Sequence, residues 1–143
     1  MIDWVDAVHG LGIDEMDQTH REFTALVNLL NEADDADFAA LFGKLLDHSR
    51  QHFSNEGRLM RISRFPALGE HEGEHHRVYG DLVQMNRAVQ RGRLMLARAY
   101  VRTGLAEWFG LHLATMDSAL AAHLKRTGES RATMTGQALP VLS

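Results

Sequence analysis

Apolar residues recur at three- and four-residue spacing along four stretches of the chain, the period of a helix that buries one face. The first stretch, 16–31, sets Phe23, Leu26, Val27 and Leu30 on one side. The second, 37–64, carries Phe38, Leu41, Leu45, Leu59 and Ile62. The acidic turn Asp34-Asp35-Ala36-Asp37 ahead of it supplies N-cap candidates, and Phe65-Pro66 ends it, because proline disfavours helix in the residue before it. The third, 67–90, has Val78, Leu82 and Met85 following His71 and His75, with Gly92 marking its end. The fourth, 94–126, carries Tyr100, Leu105, Trp108, Phe109, Leu113, Met116 and Leu120. β-branched residues are scattered and strict alternation is missing, so no sheet is expected. Four amphipathic helices with short connections predict an all-α, antiparallel up-down four-helix bundle. An irregular N-terminal arm with Trp4, Val8 and Leu11 precedes it. Residues 127–143 are small and polar without a period and read as a mobile C-terminal tail behind a domain of residues 1–126.

Composition narrows the function. The 143 residues suit one domain with its own core, at 45% hydrophobic and 24% charged. Without cysteine, disulfides, thiolate metal sites, iron–sulfur clusters and thiol catalysis are excluded. A formal charge of -4 argues against a nucleic-acid partner, which needs a basic face. No apolar run approaches a membrane span, and the acidic start Met1-Ile2-Asp3-Trp4-Val5-Asp6 lacks the apolar core of a signal peptide. A cytoplasmic protein with no membrane partner is expected. The oligomeric state is open, with a monomer favoured.

Nine histidines change the picture through their placement. His52-Phe53-Ser54-Asn55-Glu56 and His71-Glu72-Gly73-Glu74-His75 each put two metal-ligand types four residues apart, on one helix face. His20 lies near the start of the first helix, and His112 and Asp117 lie in the fourth. In an up-down bundle these positions fall near one level. Five imidazoles and two carboxylates are then aimed at one region of the core, a large burial cost unless they share a metal. Seven ligands fit two metals better than one. If both carboxylates and a solvent oxygen bridge, three histidines complete six coordination on one metal, and two leave the other with an open position. Imidazole with carboxylate suits iron, although ligand type alone leaves zinc, manganese and cobalt open.

His112 and Asp117 are five residues apart, which on a regular α-helix leaves their directions about 140° apart. A π-turn would return them to one face, and Gly110 upstream lowers the cost of the irregularity. The alternative is a regular helix with the aspartate swung round to reach the metals.

The pattern resembles the hemerythrin family, in particular the single-domain bacterial hemerythrins, over roughly residues 4–124. The resemblance is carried by the Trp4 arm, the run from Gly12 to His20, His52-Phe53-x-x-Glu56 with Met60, Pro66 before His71 and His75, and Trp108-x-x-x-His112 followed by Asp117. It implies that His71, His75 and His112 bind one iron, that His20 and His52 bind the second, open iron, and that Glu56 and Asp117 bridge them. It also implies reversible dioxygen binding at this di-iron centre, for storage, delivery or scavenging. There are departures. Gly57 stands where the family usually has a second glutamate, and Phe109 where it commonly has leucine. His48, one turn before His52, is unusual.

His48 reads as a boundary histidine, with a pocket-lining donor or a non-standard ligand as the functional alternative. Phe109, three residues before His112, is expected to narrow the path to the open iron. His9, His76 and His123 read as surface residues, and the run Arg87, Arg91, Arg93, Arg98, Arg102 as a solvated face. Trp4, Trp108, Phe23, Phe53, Met60, Met85 and Met116 read as core. Two other functions compete: oxygen or redox sensing through a separate partner, and peroxide or nitric oxide chemistry. Turnover wants a positioned proton donor near the open metal. The positions flanking the ligands are mostly apolar, so an enzyme is not expected.

Overall fold

The computed structural model describes residues 4–5 and 9–135. Among the described residues there are helices and connections and no strand. Helix α1 is Asp14–Glu32, α2 is Asp35–Ser63 and α3 is Leu68–Val89. Helix α4, residues 95–135, is one rod in which the α-helical pieces Met95–Ala99, Leu105–His112 and Ser118–Thr135 alternate with the π-helical pieces Tyr100–Gly104 and Leu113–Asp117. Sequential helices pack on one another and α4 returns to α1 and α2, so the expected antiparallel up-down bundle is what forms. The backbone stays helical through Thr135, well into the stretch read as a tail. Residues 136–143 of that stretch, and Val8 of the arm, lie outside the described residues.

Local chemistry explains the ends. Asp34 caps α2 by accepting from the Asp37 N–H at 2.9 Å. Arg64 closes α2 in the left-handed region at φ 57°, so the chain turns just before Phe65-Pro66. The arm is tied down by Asp17, buried in the first turn of α1. It accepts the N–H groups of Leu11 at 2.8 Å and Gly12 at 3.1 Å, with Gly12 at φ +81° where a side chain would be strained.

The core has two apolar layers. The larger holds Phe23, Val27, Phe42, Leu45, Leu82 and Leu105 among others. The smaller holds Met16, Leu59, Met60, Leu120, Ala121 and Leu124. The buried histidines and carboxylates lie between these layers along every helix. Burial of this kind contributes about 25 cal/mol per Å² of apolar surface and sets the register that brings the polar side chains to one level.

Two expectations are corrected. Arg98 does not belong to a solvated face. Its guanidinium donates to Asp35 at 2.7 Å and to the Ala33 carbonyl at 2.9 Å, and lies 4.5 Å from the centre of the Phe38 ring, pinning the start of α4 to the α1–α2 turn. His123 is half-buried, and its Nε2 bonds the Ser63 carbonyl at 2.8 Å, tying α4 to the end of α2.

Candidate metal centre

Each helix contributes to one buried cluster. His20 from α1, His52 and Glu56 from α2, His71 and His75 from α3, and His112 and Asp117 from α4 are all at most 4% exposed. Their ligand atoms form two groups that share Glu56. One is His20, His52 and Glu56; the other is Glu56, His71, His75, His112 and Asp117.

The carboxylates divide their oxygens between the groups. Glu56 Oε2 lies 2.8 Å from His52 Nε2 and 3.2 Å from His20 Nε2, while Oε1 lies 3.3 Å from His71 Nε2 and from His75 Nε2. Asp117 Oδ2 lies 3.2 Å from His20 Nε2, and Oδ1 lies 3.1 Å from His71 Nε2 and 3.2 Å from His112 Nε2. His75 and His112 point Nε2 at one another across 3.1 Å. Neutral imidazoles have no reason to face acceptor to acceptor unless a cation or proton lies between them.

Several of these atoms are buried without a hydrogen-bond partner: Glu56 Oε1, both Asp117 oxygens and His71 Nε2. Orphaned buried acceptors converging from four helices fit metal ions, and the all-oxygen-and-imidazole donor set fits iron. The electrostatics agree. Burial alone would push His20 and His71 down, but the Asp117 and Glu56 carboxylates facing them more than reverse this, to about 10 and about 9. Burial likewise opposes ionisation of Glu56 and Asp117, yet the surrounding histidines hold both well below the usual carboxylate range. His75 is lowered, by burial first. The pocket is therefore built for charges of both signs.

The ring Nδ1 atoms of all five histidines are buried without a partner among the described residues, so packing orients these rings. Phe53 stacks on His75 with centroids 4.1 Å apart and planes at 10°, and Trp108 stacks on His112 at 4.6 Å and 22°. Trp108 is itself fixed by donating from Nε1 to Glu74 Oε1 at 2.8 Å. Sequence reasoning read Phe53 and Trp108 as generic core and did not single out Glu74 for this. The available signal was adjacency: Phe53 follows His52, Trp108 precedes His112 by one turn, and Glu74 precedes His75.

The π-helical piece Leu113–Asp117 starts directly after His112 and ends on Asp117, where a π-turn was expected. The second, Tyr100–Gly104, was not foreseen. A Cβ at Gly104 would come within 2.9 Å of the Tyr100 ring, so glycine there lets the ring lie back against the turn.

Phe109 is buried against Phe23, at 4.7 Å, and His20, at 5.6 Å, on the side of the two-histidine group. His48 stays outside both groups. Its ring is 6.1 Å from that of His52, its Nε2 is 3.5 Å from Glu22 Oε1, and burial lowers its pKa. His76 is exposed, as expected.

Known proteins share this plan. The family described as the Hemerythrin HHE cation binding domain matches residues 11–124. A bacteriohemerythrin of Ralstonia nicotianae is 33% identical over 128 residues, covering 90% of this chain and 92% of the relative. Another, of Stenotrophomonas maltophilia, is 27% identical over 126 residues, covering 85% and 80%. The crystal structure of a hemerythrin point mutant superposes with a TM-score of 0.80 at 19% identity, covering 87% of this chain and 97% of that one, a likeness of fold.

Proposed function

From the premise that the chain belongs to the hemerythrin family, we propose that it binds dioxygen reversibly at a di-iron centre, for storage, delivery or scavenging. In this reading His71, His75 and His112 hold one iron, His20 and His52 hold the other, and Glu56 and Asp117 bridge. The observation that carries it is the split of each carboxylate: one oxygen faces the three-histidine group and the other the two-histidine group. A bridge needs that arrangement, and a single-metal site does not. Two irons, when bound there, would supply the two electrons that allow dioxygen to be held and released.

The protein's part is to bind, orient and exclude water. His20 and His52 leave their metal one protein ligand poorer than its neighbour, and that is where a small molecule has room. Phe109 and Phe23 cover this side with apolar rings. Among the described residues His48, one turn before His52, is turned to Glu22, and burial lowers its pKa, so it is poorly suited to act as a charged proton donor. That favours a carrier over an enzyme that turns substrate over.

Metal and gas stoichiometry test the reading. After iron-replete expression, close to two irons and one dioxygen per chain are expected. About one iron per chain, with His20 and His52 unliganded, contradicts it.

A further inference from the structure

A cleft of about 290 Å³ opens between α2 and α3, at the small end of the range for small-molecule sites. Phe53 and the edge of His75 line it, and these are the two rings stacked at 4.1 Å. One end is closed by the Arg61–Glu72 ion pair at 3.2 Å. A Cβ at Gly57 would come within 2.8 Å of Glu72 Oε2 and 3.2 Å of the Arg61 guanidinium, so a side chain there would push these flexible ends aside. The departure at Gly57 thus shapes the end of the cleft.

The remaining walls are donors. Arg50, Ser54, His76 and Tyr79 line the cleft, and none of their side chains forms a hydrogen bond or ion pair with another described residue. A guanidinium, two hydroxyls and an imidazole around an aromatic floor suit a planar molecule that carries acceptors on its ring and a negative charge beside it. The cleft reaches one ring of the centre, His75, from outside; a second, smaller cleft reaches His71 but is lined mostly by apolar side chains and offers no cationic wall.

We propose that this cleft binds a reduced flavin nucleotide, which re-reduces the oxidised centre through Phe53 and His75. The dihydroflavin loses two electrons and two protons and becomes the oxidised flavin. The two electrons take both irons from ferric to ferrous, and the protons pass to solvent. The electron step rests on the di-iron reading above; the binding step does not.

The test uses the iron-loaded protein and follows the quenching of flavin fluorescence. Flavin mononucleotide should bind saturably, with riboflavin, which lacks the anion, and inorganic phosphate, which lacks the ring, each binding more weakly. Arg50→Glu should weaken flavin mononucleotide by about tenfold or more, as loss of a charge-assisted hydrogen bond does, and Arg50→Lys should restore part of it. Reduction of the oxidised protein by reduced flavin mononucleotide should saturate with flavin and slow in Arg50→Glu. Reduction by reduced methyl viologen, a cation, should not slow. No saturable binding at about millimolar flavin, or equal binding by Arg50→Glu, overturns the site. Binding with a reduction rate indifferent to Arg50→Glu overturns the electron delivery. A chain that binds flavin but does not hold two irons supports the cleft and overturns the reading of the centre instead.

Discussion

At the scale of residues the centre depends on two carboxylates, each placed to serve two groups of histidines. Glu56 faces four of the five rings, so Glu56→Ala should lose at least one iron and the dioxygen complex. Glu72→Ala, which removes a carboxylate paired with Arg61 at the surface, should lose neither. Iron content and the visible spectrum of the two variants check this, and identical behaviour contradicts the assignment. Phe109 is packed against Phe23 and His20, on the side of the two-histidine group. Phe109→Ala should autoxidise faster, because water reaches His20 and its metal, and should cost about 3–5 kcal/mol of stability from the cavity left beside Phe23. An unchanged or slower autoxidation rate counts against a gating role. The same cluster sets a pH dependence in the metal-free protein. His20 and His71 titrate at about 10 and about 9 when folded, above the ordinary 6.5. Their stabilisation is complete below the ordinary value and is lost as pH rises through 9 to 10. Glu56 and Asp117 are held low, so their contribution is present above the ordinary carboxylate range and is lost as pH falls; His75, lowered by burial, also weakens the acid side. The melting temperature of metal-free protein should therefore fall between about pH 7 and about pH 10. Iron uptake should release protons and tighten over the same range. A melting temperature flat to pH 10 contradicts the cluster's electrostatics.

At the scale of elements the unusual part is α4. An i→i+5 turn spends five residues where an α-helix spends four, so His112 and Asp117 reach the same cluster despite their spacing. Deleting Ala114, an exposed residue inside that turn, should leave a regular helix with the two ligands four apart on one face. That variant should stay helical and keep iron. Inserting an alanine beside Ala114 turns Asp117 about 100° off the cluster and should lose at least one iron. Circular dichroism with metal analysis reads both; iron loss on deletion but not on insertion reverses the argument. The sequence made this element partly legible. The five-residue spacing carried the signal for Leu113–Asp117, because on a regular helix His112 and Asp117 would point about 140° apart. Nothing of the kind marked Tyr100–Gly104, where the cause is a contact between one ring and one missing side chain. The boundaries of α1 to α3 were legible to within two residues, because periodicity and the Asp34 and Pro66 signals agree there. Helix beyond residue 126 was not, since Ser118–Thr135 ends in small and polar residues that carry no period.

At the scale of the whole molecule the bundle is two apolar layers with a charged layer between them. The apolar layers fix the register of four helices, and the register brings the seven candidate side chains to one cluster. That is why all seven candidates could be named from spacing while their partners could not. Which ring stacks on His75 or His112, and that Arg98 reaches Asp35, are tertiary facts with no period in the chain. Protein without metal keeps buried charges of both signs in that middle layer, so two bound ions should raise its melting temperature strongly, and a chelator should reverse the gain. The most direct test of the central claim is optical. The protein is reduced without oxygen, exposed to dioxygen, then purged. A charge-transfer band in the visible region should appear with dioxygen and disappear on its removal, over repeated cycles. No band, or a single irreversible oxidation, would contradict reversible dioxygen binding by this protein.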